Sequence, residues 1–196
     1  MVDLLGAVDV RELASRLDVT PTKKLGQNFV TDPNTIRRIV SAAKLGGQET
    51  VVEIGPGLGS LTLGLLEVAE KVIAVEIDPK MAAELESTIA KRAPGKNFTL
   101  VRDDALKVFD LPAAPDALVA NLPYNVASPL LVGWLRQAAD FERFTLMFQQ
   151  EVAQRIVAKP DSSAFGRLAV LAQWRSTATM PMKVHRSAFT PPPKVM

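Results

Sequence analysis

The sequence predicts an α/β fold, with a mostly parallel central sheet and helices on both faces. Three observations predict it. Short apolar runs alternate with helix-length amphipathic segments along most of the 196 residues. The first such run leads into closely spaced glycines and then a helical pattern, the turn of a strand–helix crossover. The composition, 47% hydrophobic and 22% charged, is that of an ordinary globular chain able to bury a core of its own.

The elements follow in order. Residues 9–17 read as a short helix with Asp9 as N-cap, and 20–31 as an irregular polar loop. Asp32-Pro33 opens a helix with Ile36, Ile39 and Val40 on one face, and Gly46-Gly47 ends that region. Strands are expected at 50–54, 71–77, 98–102, 117–120 and 144–149. Helices are expected at 61–69, 79–92, 129–137 and 151–157, with further buried apolar structure at 168–172. Trp134 and Trp174 read as core aromatics. The proline-rich AFTPPPKVM closes the chain.

Composition excludes several function classes. With no cysteine, there is no disulfide scaffold, thiolate metal site or cysteine nucleophile. The single histidine, His185, excludes a histidine-rich metal centre and reads as a surface residue, so no metal is expected. No apolar run is long enough for a transmembrane helix, and the N-terminus lacks a basic signal region. A cytoplasmic protein without membrane contact is expected, and nothing demands more than a monomer. The net charge of +2 divides unevenly, with +5 from Glu151 onward and −3 before it. A basic end suits a polyanionic partner, and equally a solvated surface.

The glycine turn Glu53-Ile54-Gly55-Pro56-Gly57-Leu58-Gly59-Ser60 carries the first chemical signal. Its glycines permit positive φ and close ligand approach, and the helix beyond offers free N–H groups. Ser60 stands where a dinucleotide fingerprint wants glycine, and no P-loop lysine follows, so a pyrophosphate ligand is disfavoured. Glu76, about twenty residues on, suits ribose hydroxyls. Asp104, after the third expected strand, suits the exocyclic amine of an adenine. Glycines, glutamate and aspartate at three successive strand ends describe an S-adenosylmethionine pocket.

Asn121-Leu122-Pro123-Tyr124 follows the fourth expected strand. An adenine amine is a poor nucleophile because its lone pair is delocalised into the ring. Acceptors aimed at its N–H groups localise that pair; the Asn121 side chain and the Leu122 carbonyl can supply them. Pro123 fixes the turn, and Tyr124 can stack on an extruded base.

In these motifs the chain resembles the ribosomal RNA small-subunit adenine dimethyltransferases. The residues that carry the likeness are Leu25-Gly26-Gln27-Asn28-Phe29, Glu53 to Gly59, Glu76-Ile77-Asp78, Asp104-Ala105, Asn121 to Tyr124 and Phe189-Thr190-Pro191-Pro192-Pro193-Lys194-Val195. The resemblance implies a Rossmann-like S-adenosylmethionine-dependent methyltransferase fold. It implies dimethylation of two adjacent adenosines near the 3′ end of small-subunit rRNA, late in ribosome assembly. Asn28 and Val30 would touch the cofactor, Gly55 would underlie its methionine part, Glu76 would hold the ribose and Asp104 the adenine. Gln27, Glu53, Gly57 and Ile77 would complete these contacts. Asn121 would stand between cofactor and target amine, with Phe189 closing the base site opposite Tyr124.

Val30 stands where the family usually has Leu. The likeness divides the chain into an N-terminal extension with a short helix, 1–19, and a catalytic domain, 20–196, with the family's C-terminal helical domain absent. Lys23, Lys24, Arg155, Lys159, Arg167 and Arg186 are candidate contacts to RNA phosphates, with a solvated surface as the plainer alternative. Two rival readings stay open. One is a large-subunit rRNA methyltransferase of the macrolide-resistance type, whose members tend to carry Ile where Leu122 stands. The other is a non-catalytic assembly or transcription factor on the same fold.

Overall fold

The computed structural model describes residues 2–17, 28–107, 111–122, 124–137 and 141–193. Helices α1 (Ala7–Arg16) and α2 (Pro33–Ala42) flank a two-residue strand, β1 (Phe29–Val30). An alternating run follows: β2 (Thr50–Ile54), α3 (Ser60–Val68), β3 (Lys71–Val75), α4 (Pro79–Arg92) and β4 (Phe98–Val101). Then come β5 (Ala117–Asn121), α5 (Tyr124–Gln137), β6 (Arg143–Met147), α6 (Gln150–Ile156) and α7 (Arg167–Arg175). A 3-10 turn at Arg186–Ala188 leads into β7 (Phe189–Thr190).

Five strands form one parallel sheet in the order β4-β3-β2-β5-β6. The chain starts in the middle, winds out to β4, then returns to the other side of β2. The direction of winding therefore reverses between β2 and β5, where a doubly wound sheet opens a crevice at its strand C-termini. The expected sheet and its alternation are present, with strand ends within two residues of the sequence reading.

Local chemistry explains the boundaries. Asp32 caps α2 by accepting from the N–H groups of Asn34 (3.2 Å) and Thr35 (3.0 Å), with Pro33 at the first helical position. Asp78 caps α4 in the same way, accepting from Lys80 and Met81, with Pro79 next. Helix α3 is buried from Ser60 to Leu66. Its leucines face the core on every side, so it needs no polar face. Gly64 lets it lie against α2: a Cβ there would fall 2.4 Å from Ile36 Cγ2.

Four expectations are corrected. The N-cap of α1 is Gly6, not Asp9; the helix starts two residues early, and Asp9 reaches back from its third position to accept from the Gly6 N–H at 2.8 Å. Residues 29–30, expected within a loop, form β1 because they pair antiparallel with Phe189–Thr190, a long-range partner that no local pattern announces. Helix α5 begins at Tyr124 rather than Pro129, and carries the exposed Pro129 inside it. Trp174 is 77% exposed. Ala169 and Ala172 set the buried face of α7, and Trp174 lies about 200° round the helix from Ala172. Trp134 is half-buried and stacks on Phe144 with ring centroids 6.2 Å apart.

The segment before α2 is part of the main core. Leu5 and Val10 are buried in the same cluster as Leu63, Val72 and Leu85. Arg92 binds it from outside, pairing with Asp3 at 2.7 Å and Asp9 at 2.6 Å.

Candidate active site

The crevice at the switch point is a cavity of about 310 Å³. Its floor is the glycine turn between β2 and α3. Gly55, Gly57 and Gly59 have φ of 65°, 56° and 91°, values that favour glycine. Space favours it as well at Gly57, where a Cβ would lie 2.9 Å from the Phe29 ring. The turn is tied to β3 by the Gly55 N–H, which donates to the Val75 carbonyl at 2.9 Å.

Glu76 follows β3 and is buried. Its backbone N–H donates to the Val101 carbonyl at 3.0 Å, fixing it to the end of β4. Its carboxylate accepts from the Asp78 N–H at 2.9 Å and the Gly57 N–H at 3.3 Å. Burial pushes its pKa up; the Asp78 and Gly57 N–H groups pull it back, and the Asp78 charge adds to the rise. Two accepted bonds leave lone pairs for ligand hydroxyls.

Glu53, on β2, is 1% exposed. Burial pushes its carboxyl up to about 8, with the Thr62 hydroxyl lowering it and the Glu76 charge raising it. That hydroxyl lies near enough to favour the anion without completing a hydrogen bond. Among the described residues Glu53 Oε2, Ser60 Oγ and Thr62 Oγ1 are buried and unpartnered. Glu53 and Ser60 both line the cavity.

Asp104 lines the same cavity, its Oδ1 accepting from the Leu106 N–H at 3.0 Å and its Oδ2 3.8 Å from Lys107 Nζ. Asn121 ends β5, and its Nδ2 donates to the Asn28 carbonyl at 2.9 Å.

The sequence-selected cofactor residues Asn28, Val30, Glu53, Gly55, Gly57, Glu76, Ile77, Asp104 and Asn121 all line this cavity, and Leu122 joins them. A larger cavity, of about 860 Å³, opens beside β6 and is rimmed by Phe189, Trp174 and Arg186. Asn121 lines both cavities. Phe189 lies on the larger side, half-buried, in register with Val30. The structure therefore brings Phe189 to Asn121's second cavity rather than to the first.

Lys23, Lys24, Gln27, Pro123 and the Tyr124 side chain lie outside the described residues. Arg155 is exposed and pairs with Glu151 on its own helix. Lys159 and Arg167 are exposed, on separate segments. His185 is exposed and caps the 3-10 turn by accepting from the Ser187 N–H.

Sequence reading missed Ser60, Phe29 and Val126 as cavity walls. Ser60 was findable, since it opens the helix after the glycine turn. Phe29 and Val126 were not, because an apolar wall residue looks like any core residue.

The family described as ribosomal RNA adenine dimethylase matches residues 20–196. The chain belongs to this family. A curated relative from Arthrobacter sp. (strain FB24), named ribosomal RNA small subunit methyltransferase A, is 52% identical over 194 residues, 98% of this chain and 66% of the relative. The chain thus spans about two thirds of that protein's length. A dimethyladenosine transferase from Plasmodium falciparum superposes with a TM-score of 0.77 at 35% identity, covering 85% of this chain and 60% of the other. The 23S rRNA methyltransferase ErmE superposes with a TM-score of 0.67 at 32% identity, covering 86% and 66%. As a member of the dimethylase family, the chain has its motifs at the ends of β2, β3, β4 and β5, where the crevice opens.

Proposed function

We propose that this chain transfers methyl groups from S-adenosylmethionine to the N6 amine of adenine in small-subunit rRNA. It does so on two adjacent adenosines near the 3′ end, during subunit assembly in the cytoplasm. The observation that carries the reading is Asn121, a polar side chain shared by two cavities. One cavity takes the methyl donor and the other the target base. Residues 20–196 form the catalytic unit, preceded by an extension whose apolar residues join its core.

The residues of the smaller cavity fit the donor. Glu76 accepts from ribose hydroxyls, and Asp104 from the adenine amine. The positive-φ turn lets the methionine end approach the backbone, and the first turn of α3 offers its N–H groups to the carboxylate. The unpartnered Ser60 Oγ and Glu53 Oε2 supply further polar contacts there. When bound, the donor supplies an electrophilic methyl group on a sulfonium.

The chain's own residues position the acceptor. Because Asn121 donates through Nδ2 to Asn28, its Oδ1 is turned the other way, free to accept from the target amine. The Leu122 carbonyl accepts the second N–H. Both contacts raise the nucleophilicity of the nitrogen and hold it in line with the methyl group. Tyr124 stacks on one face of the base and Phe189 closes the other. RNA phosphates meet Lys23, Lys24, Arg155, Lys159, Arg167 and Arg186. The protein works as a monomer without a metal ion.

The test is transfer of labelled methyl groups to unmethylated small ribosomal subunits, followed by nucleoside analysis. N6,N6-dimethyladenosine in the small-subunit rRNA is the expected product. Incorporation into large-subunit rRNA instead would favour the activity in ErmE's name. No incorporation into either, in this chain and in one extended to the length of its relatives, would favour a non-catalytic role.

A further inference from the structure

Glu53 is a buried carboxyl to which methyl transfer gives no proton-transfer task. It sits on β2, 1% exposed, and its Oε2 has no hydrogen-bond partner among the described residues. Among the described residues, its surroundings hold no countercharge. From β3 it faces Ala74 in register and Glu76 just beyond. Helix α3 contributes the hydroxyls of Ser60 and Thr62, β5 the neutral Asn121, and β1 the apolar Phe29 and Val30. The cavity that Glu53, Ser60, Glu76 and Asn121 line is also lined by Asp78, Asp103 and Asp104, and by no Lys, Arg or His among the described residues.

An ionised carboxylate in that position is buried, has one oxygen without a hydrogen-bond partner among the described residues and is repelled by Glu76; this outweighs the nearby Thr62 hydroxyl and favours the neutral acid. A cavity whose charged wall residues, among those described, are all carboxylic acids favours a ligand that brings positive charge. The donor's amino-acid end carries such a charge and, on the reading above, lies at the glycine turn beside Glu53. We propose that Glu53 gives up its proton to solvent when the α-ammonium group of the methyl donor is bound, so that cofactor uptake and proton release are a single event. The proposal rests on reading this cavity as the donor site. The O–H bond of the carboxyl breaks, its proton passes to bulk buffer, and no covalent bond of the ligand changes. The new carboxylate and the ammonium form an ion pair in place of an isolated buried acid.

Burial holds Glu53 near 8 in the free protein, so most of these groups are protonated at pH 7. The test is titration calorimetry of this chain with S-adenosylhomocysteine at pH 7, in buffers of different ionisation enthalpy. This ligand keeps the ammonium and lacks the sulfonium. Release of most of one proton is expected, with affinity rising up to about tenfold from pH 6 to 7, the slope of one linked proton. The ligand's own amine lies beside a carboxylate rather than a peptide bond, so it titrates above the peptide α-amino range of about 7.7–8.0 and stays protonated from pH 6 to 7. 5′-Methylthioadenosine, which lacks the amino-acid end, should bind with no proton release. E53Q, checked for folding by circular dichroism, should bind S-adenosylhomocysteine without releasing a proton.

Binding of S-adenosylhomocysteine with no release by the wild-type chain would overturn the proposal and leave the donor site standing. Release on binding 5′-methylthioadenosine would also overturn it, placing the proton elsewhere, and needs no variant. Failure of all these ligands and of S-adenosylmethionine to bind would overturn the donor site itself, and this proposal with it.

Discussion

The side-chain amide of Asn121 donates to the backbone carbonyl of Asn28 across 2.9 Å, although 93 residues separate them in sequence. This bond joins the end of β5 to the segment entering β1, and it decides which way the amide points. A carbonyl can only accept, so Nδ2 must face it and Oδ1 must face away. The position beside β1 is in turn held by β7, through the Phe29–Val30 pairing and the Thr31 N–H, which donates to the Ala188 carbonyl at 2.9 Å. The orientation of one acceptor is thus fixed by segments near both ends of the chain.

Replacing Asn121 by Ala removes that acceptor while leaving the glycine turn, Glu76 and Asp104 in place. Methyl transfer should fall by about 10²–10³-fold, the usual loss when one preorganised polar group at the reacting centre is deleted. Donor affinity should change by less than tenfold, since most of the cavity wall is untouched. Single-turnover transfer and equilibrium binding, measured on the same preparation, separate the two quantities. An equal loss in both would make Asn121 a donor-binding residue alone.

Gly57→Ala tests the floor of the cavity. Its φ of 56° costs a residue with a side chain about 1 kcal/mol or more. The new methyl group would also press on the Phe29 ring, 2.9 Å from the Cβ position. Phe29 belongs to β1, so relief by moving the ring disturbs the pairing with β7 and the Asn28 carbonyl. A loss of about 2–3 kcal/mol in unfolding free energy is expected from strain and overpacking together. Donor affinity should fall as well, because the Gly57 N–H helps hold Glu76. Urea unfolding and ligand titration read the two effects.

Glu53 should make the free chain lose stability as pH rises. Its pKa is raised from 4.5 to about 8 on folding. Between those values the native state binds the proton and the unfolded state does not, so the slope of unfolding free energy against pH is negative. The contribution is fully present below about 4.5 and lost as pH passes through about 8. It amounts to a few kcal/mol, on the order of 1.4 for each pKa unit. Glu53→Gln keeps the shape and removes the ionisation. Its unfolding free energy should be flatter from pH 5 to 8.5, and the variant should be more stable than the parent at the alkaline end. Urea titrations across that range check the sign directly.

How much of this was legible in the sequence depends on whether the determining contact is local. The capping of α2 by Asp32 and of α4 by Asp78 is written in neighbouring residues, and both starts were readable. The cavity residues were readable because glycine and acidic side chains at strand ends have few other uses there. What escaped depended on distant partners. Strand β1 exists because of residues 189–190, and the Asn121 amide takes its direction from Asn28. Trp174 was misread because a single large aromatic says less than the phase of its helix, which Ala169 and Ala172 set. The sheet order itself, with its reversal between β2 and β5, cannot be read from alternation alone.

The contact between α2 and α3 offers a test of packing away from the polar side chains of the cavity. Gly64 lies mid-helix, where alanine has the better intrinsic propensity by about 1 kcal/mol. Even so, Gly64→Ala should destabilise the fold, because the added methyl would sit 2.4 Å from Ile36 Cγ2 and 3.2 Å from Val40 Cγ2. Both neighbours are buried side chains on a packed helix, so they cannot swing aside into solvent. Overpacking of this kind costs about 1–3 kcal/mol, which exceeds the gain in propensity. Ile36→Ala alone should cost about 2–5 kcal/mol through the cavity it leaves. In the double variant the new methyl group enters space that Ile36 vacated, so the two losses should not add. A double-mutant cycle by urea unfolding should therefore give a favourable coupling of about 1 kcal/mol or more between positions 36 and 64. Simple additivity would mean that the helices separate to accept the methyl group, and that Gly64 does not set their distance.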